Sequence, residues 1–332
     1  MNRDAAQRLE AWLSRALGEP VHVESTEKPG DGAAREARAI VVTTSGGEQP
    51  RRYLRIAGGE APPAREDDRA RYEEFALLCA AHDAGVHVPR PLVLCEDPGV
   101  LGASFFVTDD ISARGGWLQH PGLAAQPGRE LAKLHRITPP HPRLEFLDPA
   151  PDDLPAARID RFRTRLDAIG DPQPVLEWTM RQLERGAPEG AGTVLCHGAP
   201  RPGSRLVDDR GALAILDRER CRWGDPYEDI GEFCAECRRY FAGNPEGDGP
   251  SRTGFLDGYR DISGLDIDED LVRYWEVMAT LGRAVAALEH GHRFVAGGER
   301  SVELALTGRR VAEMEIDLLV ETDRIAMERT HA

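Results

Sequence analysis

The stretch from Val194 to Ile230 constrains this chain more than any other. Val194-Leu195-Cys196 is a short apolar run that enters His197-Gly198-Ala199-Pro200-Arg201-Pro202-Gly203-Ser204, a tight loop rich in glycine and proline. Ala214-Ile215-Leu216 is a second apolar run, and it ends on an acid, Asp217, followed by Arg218-Glu219. Gly224-Asp225-Pro226-Tyr227-Glu228-Asp229-Ile230 then reads as a turn that opens a helix. Strand, loop, strand ending on an acid, and turn into helix form a frame that can carry a base on the loop and a metal ligand on the acid.

The chain has 332 residues, a length that suits one large domain or two lobes around a cleft. With 41% hydrophobic and 30% charged residues it reads as globular with ample material for a core. A net charge of −15 argues against a nucleic-acid partner and against an anionic membrane surface. It leaves room for a local basic pocket for phosphate. The cysteines, Cys79, Cys95, Cys196, Cys221, Cys234 and Cys237, are scattered and show no disulfide spacing. The polar start Met1-Asn2-Arg3-Asp4 lacks the apolar region of a signal peptide, and no apolar run is long enough to span a bilayer. The expectation is a cytoplasmic protein.

Taken in order, Leu9, Trp12, Leu13, Ala16 and Leu17 recur at helical spacing between Asp4 and Gly18. Strands are expected over 21–25, 37–44, 52–56, 92–95 and 103–107, with a helix over 69–84. Asp97-Pro98-Gly99 reads as a turn, and Thr108-Asp109-Asp110-Ile111 as the connection between lobes. Beyond it, helices are expected over 129–137, 154–169, 175–185, 230–241, 251–259, 268–290 and 301–327. The division is an N-lobe of residues 1–111 and a mainly helical C-lobe of residues 112–332.

With their order, these motifs resemble the aminoglycoside-phosphotransferase family, which has a protein-kinase-like fold, and within it the branch associated with acyl-CoA dehydrogenases. The family pattern is roughly H-G-D-x-R-x-G-N, then L-D-W-E, then G-D-P-x-x-D-L. Here it falls on His197 to Ser204, Leu216 to Glu219 and Gly224 to Ile230. Tyr53-Leu54-Arg55, Glu74-Phe75, Val88-Pro89-Arg90-Pro91 and Leu131-Ala132-Lys133-Leu134-His135 are further echoes. The fold class expected is α+β: two lobes, with a small sheet plus helix in the N-lobe and a larger, mainly helical C-lobe.

The resemblance implies that Arg55 clamps nucleotide phosphate, that Glu74 orients Arg55, and that the backbone near Asp109 holds the base of the nucleotide. It implies Asp217 and Ser204 as the metal positions, and Asp225 and Asp229 as braces for the loop. Asp225 and Asp229 also sit where carboxylates favour a helix start. Arg55, Glu74, Asp217 and Ala199 are expected to face one cleft. From the residues alone, a solvent-facing arginine on an alternating strand explains Arg55 as well, and a solvated surface acid explains Glu74.

The departures carry the functional reading. The base position is Ala199, which can neither accept a proton nor orient a hydroxyl, between His197 and Arg201 in the catalytic loop. Ser204 replaces the asparagine ligand, and Arg218 replaces the tryptophan. Three functions remain open. The first is an impaired, pseudokinase-like phosphotransferase that binds ATP and Mg²⁺ weakly. The second is an active small-molecule kinase acting on a hydroxyl, with Glu219, Asp208 or Asp209 as substitute base. The third is an interaction module without nucleotide. A small-molecule substrate fits the first two, and no protein partner is indicated. Cys234 and Cys237 lack the second pair a zinc site needs, and adjacent Cys196 and His197 point apart on a strand. His290-Gly291-His292 reads as a helix end.

Overall fold

The computed structural model describes residues 3–27, 37–44, 51–56, 65–109, 124–198, 206–208, 211–213, 220–241, 251–296 and 301–330. In chain order the elements are α1 (Arg3–Leu17), β1 (Val21–Glu27), β2 (Ala37–Thr44), β3 (Arg51–Ile56), α2 (Arg65–Asp83), β4 (Pro91–Cys95), α3 (Pro98–Leu101) and β5 (Phe105–Asp109). Next come α4 (Gln126–Leu134), α5 (Leu154–Ile169), α6 (Pro174–Arg185), β6 (Val194–Cys196), β7 (Leu206–Asp208), β8 (Gly211–Leu213) and β9 (Arg222–Gly224). The chain then runs through α7 (Pro226–Phe241), α8 (Arg252–Ser263), α9 (Glu269–Val295), α10 (Val302–Arg309) and α11 (Val311–Thr330). The fold is α+β, in two compact units. One gathers Met1–Trp117, Pro140–Leu147 and Arg205–Cys221; the other gathers Leu118–Pro139, Asp148–Ser204 and Arg222–Ala332.

The first unit is built on an antiparallel sheet in the order β1-β2-β3-β5-β4. The β-branched run of β2 suits a pleated surface. β4 lies at the edge and begins with Pro91, which has no N–H to give a ladder; an edge start tolerates that. α1 buries Leu9 and Leu13 against Val21, Val23, Phe105 and Val107, and Trp12 meets Phe105 edge-on with ring centroids 5.1 Å apart. Each fully buried side chain of this size contributes about 1.5–3 kcal/mol.

The second unit is helical around α9. Val272, Met278, Leu281 and Val285 of α9 are buried, and Phe233 of α7 stacks on Phe255 of α8 with centroids 3.9 Å apart. α4 and α8 cross at Gly128 and Gly258. A Cβ on either would fall 1.9 Å from a backbone oxygen, so only glycine allows this approach. β6 pairs antiparallel with β9, and β7 with β8 forms a separate two-stranded hairpin in the first unit.

The structure corrects several expected boundaries. Thr108 and Asp109 extend β5 rather than begin a connection, because Asp109 still pairs with Arg52 of β3. The turn at Asp97 is the start of α3: its side chain accepts from Gly99 N at 2.8 Å, and Gly102 closes the helix at φ 89°. α4 starts at Gln126, earlier than expected, with Pro127 in its first turn, where a missing N–H costs nothing. The expected single C-terminal helix is two. Gly308 weakens the helix near its end, and Arg310 N bonds back to Thr307 O at 3.1 Å, closing α10 before α11 begins. Among the described residues, no helix is long and apolar enough to cross a membrane.

Candidate functional site: the braced end of strand β6

β6 is buried between its neighbours, and Leu195 N donates to Ile137 O at 2.8 Å. The chain leaves the strand through His197 and Gly198. Gly198 has φ 80°, a conformation that costs a side-chain-bearing residue dearly. This turn is held from α7. The Asp229 carboxylate accepts from His197 N at 2.5 Å and from Gly198 N at 2.8 Å. Asp229 lies in the first turn of α7, where the helix dipole also favours a negative charge.

A second layer fixes Asp229. His135, just past α4, places Nε2 at 3.2 Å from its Oδ2 and Nδ1 at 2.9 Å from the Tyr259 hydroxyl. A carboxylate can only accept, so Nε2 carries the hydrogen toward Asp229. All three side chains are buried. Burial by itself would raise the Asp229 carboxyl. The hydrogen bond from His135, with the charges of His135, His197 and Arg222, outweighs it and holds the group at about 2. Burial, reinforced by the charge of Asp229, pushes the Tyr259 hydroxyl well above its ordinary range.

Asp225 and Glu228 complete the turn. Asp225 accepts from Tyr227 N at 2.8 Å and from Ala191 N at 2.7 Å, which caps α7 and ties the preceding loop to it. Burial raises its carboxyl despite these bonds. Glu228 receives Arg158 Nε at 2.9 Å, Arg158 Nη2, and Arg222 Nη2 at 2.6 Å. Gly224 leaves the space this needs: a Cβ there would sit 2.2 Å from Glu228 Oε1.

His135, Cys196 and Asp229 bring one ligand atom each within 4.8 Å of one another. The set is a poor metal site. Cys196 Sγ donates to Asp225 O at 3.3 Å, and burial with the charges of Asp229 and Glu228 raises its thiol well above the usual range, so it is not a thiolate. The other two are committed to the network above.

The structure places the residues singled out in the sequence as follows. His197, Asp225 and Asp229 come together in the network. Arg55 lies on β3 opposite Ala37 and Phe106, with its side chain outside the described residues. Glu74 lies on α2, where Arg71 Nη1 donates to it at 2.5 Å, and Asp109 ends β5. Ala199, Arg201, Ser204, Asp217, Asp209 and Glu219 lie outside the described residues, and so does the side chain of Asp208. Cys234 is a buried free thiol on α7. His290 and His292 lie within the last turns of α9, before its end at Val295. Glu228 lies inside the Gly224–Ile230 motif, but its partners Arg158 and Arg222 lie outside it, and a partner on another helix such as Arg158 leaves no local signal in the sequence.

The helical unit also holds a cavity of about 340 Å³ between α7, α9 and α11, lined by Glu276, Thr280, Arg283, Glu313, Asp317 and Glu321 among others.

An antiparallel sheet unit and a helical unit, the latter with a β-strand exit clamped by a helix-borne aspartate, fit the kinase-like phosphotransferase class. The match of residues 30–279 to the model of the phosphotransferase enzyme family (APH) shows that the chain belongs to that family. It is 25% identical over 282 residues to acyl-CoA dehydrogenase family member 10 of Mus musculus. That match covers 76% of this chain and 24% of the relative, so the chain spans about a quarter of the length of the curated relative it matches. Among solved structures it is similar to a protein from Ralstonia eutropha JMP134 assigned as an aminoglycoside phosphotransferase, with TM-score 0.71, 19% identity, and coverage of 96% and 98% of the two chains. It is also similar to spectinomycin phosphotransferase APH(9)-Ia, solved with ADP and spectinomycin, with TM-score 0.58, 14% identity, and coverage of 94% and 97%. At these identities the solved structures speak for the fold.

Proposed function

We propose that this chain is a catalytically impaired phosphotransferase-family protein that binds nucleotide and a small polar molecule but transfers phosphoryl groups poorly. One observation carries the reading. The strand exit that leads toward the proposed catalytic loop is held by Asp229 on His197 and Gly198, with Asp225 and Glu228 behind it, yet the residue that follows Gly198 is alanine. A positioned base contributes about 10²–10⁴ in rate, and Ala199 supplies none. In this proposal residues 1–111 form the nucleotide lobe, with Arg55, Glu74 and Asp109 as its contacts, and residues 112–332 carry the loop. Asp217 and Ser204 are the positions that would hold Mg²⁺, whose chemistry would be to neutralise phosphate charge. Ser204 is a poorer ligand than asparagine, so the metal should be held loosely.

The second reading is an active kinase that uses a substitute acid such as Glu219. Phosphoryl transfer relies mostly on positioning and electrostatics, so a missing base slows it without forbidding it.

The test is slow ATP hydrolysis by the wild type and by Ala199→Asp with Ser204→Asn, beside calorimetric ATP titrations with and without Mg²⁺. The proposal expects weak ATP binding with little magnesium dependence, wild-type turnover at background, and turnover above it in the double variant. Wild-type turnover exceeding the double variant's would establish the substitute-base reading. No ATP binding in either protein would leave an interaction module.

A further inference from the structure

On a chain of net charge −15, one surface of the helical unit is locally positive. Arg158, Arg161 and Arg165 recur on α5 at spacings of three and four, which puts them within an arc of about 60° on one flank of the helix. Arg222 of β9 joins them through Glu228, which it shares with Arg158. The acids in the cluster do not balance it. Glu228 serves both Arg158 and Arg222, and Glu289 of α9 is held by Arg165 through bonds of 2.6 and 2.5 Å. Arg161 makes no hydrogen bond or ion pair among the described residues, and it is exposed. Partial burial and the charges of Arg158, Arg165 and Arg222 make its own charge harder to hold, and Glu289 offsets this only in part. Mutual repulsion of this kind is relieved by an anion.

We propose that this flank of α5, with Arg222, binds a phosphate group, and that Arg161 is the residue that takes it. Arginine suits the role, because its planar fork matches two phosphate oxygens at once. Arg158, Arg222 and Arg165 are pre-set by Glu228 and Glu289, so their side chains need not be ordered again on binding. The opposite flank of the same helix behaves differently. Arg163 there is paired with Glu184 at 2.5 Å and stands near Glu177 at 3.6 Å. The site shares no residue with the nucleotide contacts proposed above, and it would take either free phosphate or the phosphoryl group of a phosphorylated small molecule.

The test follows arginine Nε–H resonances of the full ¹⁵N-labelled chain by NMR at low salt, titrated with inorganic phosphate and, in a second arm, with glycerol 3-phosphate. The Arg161 resonance should shift saturably. In Arg161→Gln, affinity read from the Arg158 and Arg222 resonances should fall about tenfold or more, as expected for a lost charged hydrogen-bonding pair. Arg163→Gln should leave it unchanged. Tighter binding of glycerol 3-phosphate would mark a phosphorylated small molecule as the ligand, and equal binding would mark phosphate itself. Absence of a saturable shift in the wild type overturns the proposal. So does equal weakening by Arg161→Gln and Arg163→Gln, which would mean that the helix offers only diffuse charge.

Discussion

The first turn of α7 and the flank of α5 share a residue, Glu228, yet they treat charge in opposite ways. In the first turn of α7 the buried carboxylates are matched by donors: backbone N–H groups on Asp225, backbone N–H groups and His135 on Asp229, guanidiniums on Glu228. On the flank of α5 the guanidiniums outnumber the acids, and Arg161 is exposed with no hydrogen bond or ion pair among the described residues. The difference shows what burial demands. A charge removed from water must find partners inside the protein, whereas one left in water can keep its charge for something else. Strict matching marks the part that holds the turn at His197 and Gly198, and surplus marks the flank proposed to take an anion.

The comparison can be broken first at Asp229. Asp229→Asn should cost about 3–5 kcal/mol of stability in urea denaturation, because a buried charge is taken from donors built for it. A loss below about 1 kcal/mol would show that the matching is not what holds the turn. Gly224→Ala should cost about 1–3 kcal/mol, since its Cβ would lie 2.2 Å from Glu228 Oε1 and 3.1 Å from Cys196 Sγ. If it is neutral, Glu228 has room to move, and the anchor between the two regions is looser than described.

A pH series sharpens the same contrast. Asp229 is held at about 2 in the folded state, below the roughly 3.9 of an unfolded chain. Its contribution is therefore complete above about pH 4 and is lost as pH falls toward about 2. Urea midpoints of wild type and Asp229→Asn should converge over that window, and parallel curves would count against the assignment. The smallest effect is expected on the other flank. Arg161→Gln should change stability by no more than about 0.5 kcal/mol, because an exposed arginine with no described partner is removed. A larger loss would mean that Arg161 has a structural role and is not held in reserve.

Much of the frame was legible in the sequence. The spacing of Leu9, Trp12 and Leu13 predicted α1, and the span 154–169 predicted α5 to the residue. Local periodicity and glycine, proline and aspartate at element ends carry that information, because each acts within a few residues of itself. The run Gly224 to Ile230 likewise announced a turn into a helix, although α7 begins at Pro226 rather than at the expected Ile230. The sequence determined, by itself, that the chain keeps the order of a phosphotransferase and that position 199 is alanine. Only the tertiary structure decided that Asp229 grips His197 and Gly198, that His135 and Tyr259 stand behind it, and that Arg158 reaches Glu228. It also decided that Arg161 makes no ion pair among the described residues while Arg163, two residues on, is paired. These partners lie tens of residues or more from one another along the chain, apart from the pairs within a single turn. Burial and hydrogen bonding depend on which surfaces meet when helices pack, and helical periodicity shows which face a residue occupies but not what comes to rest against it.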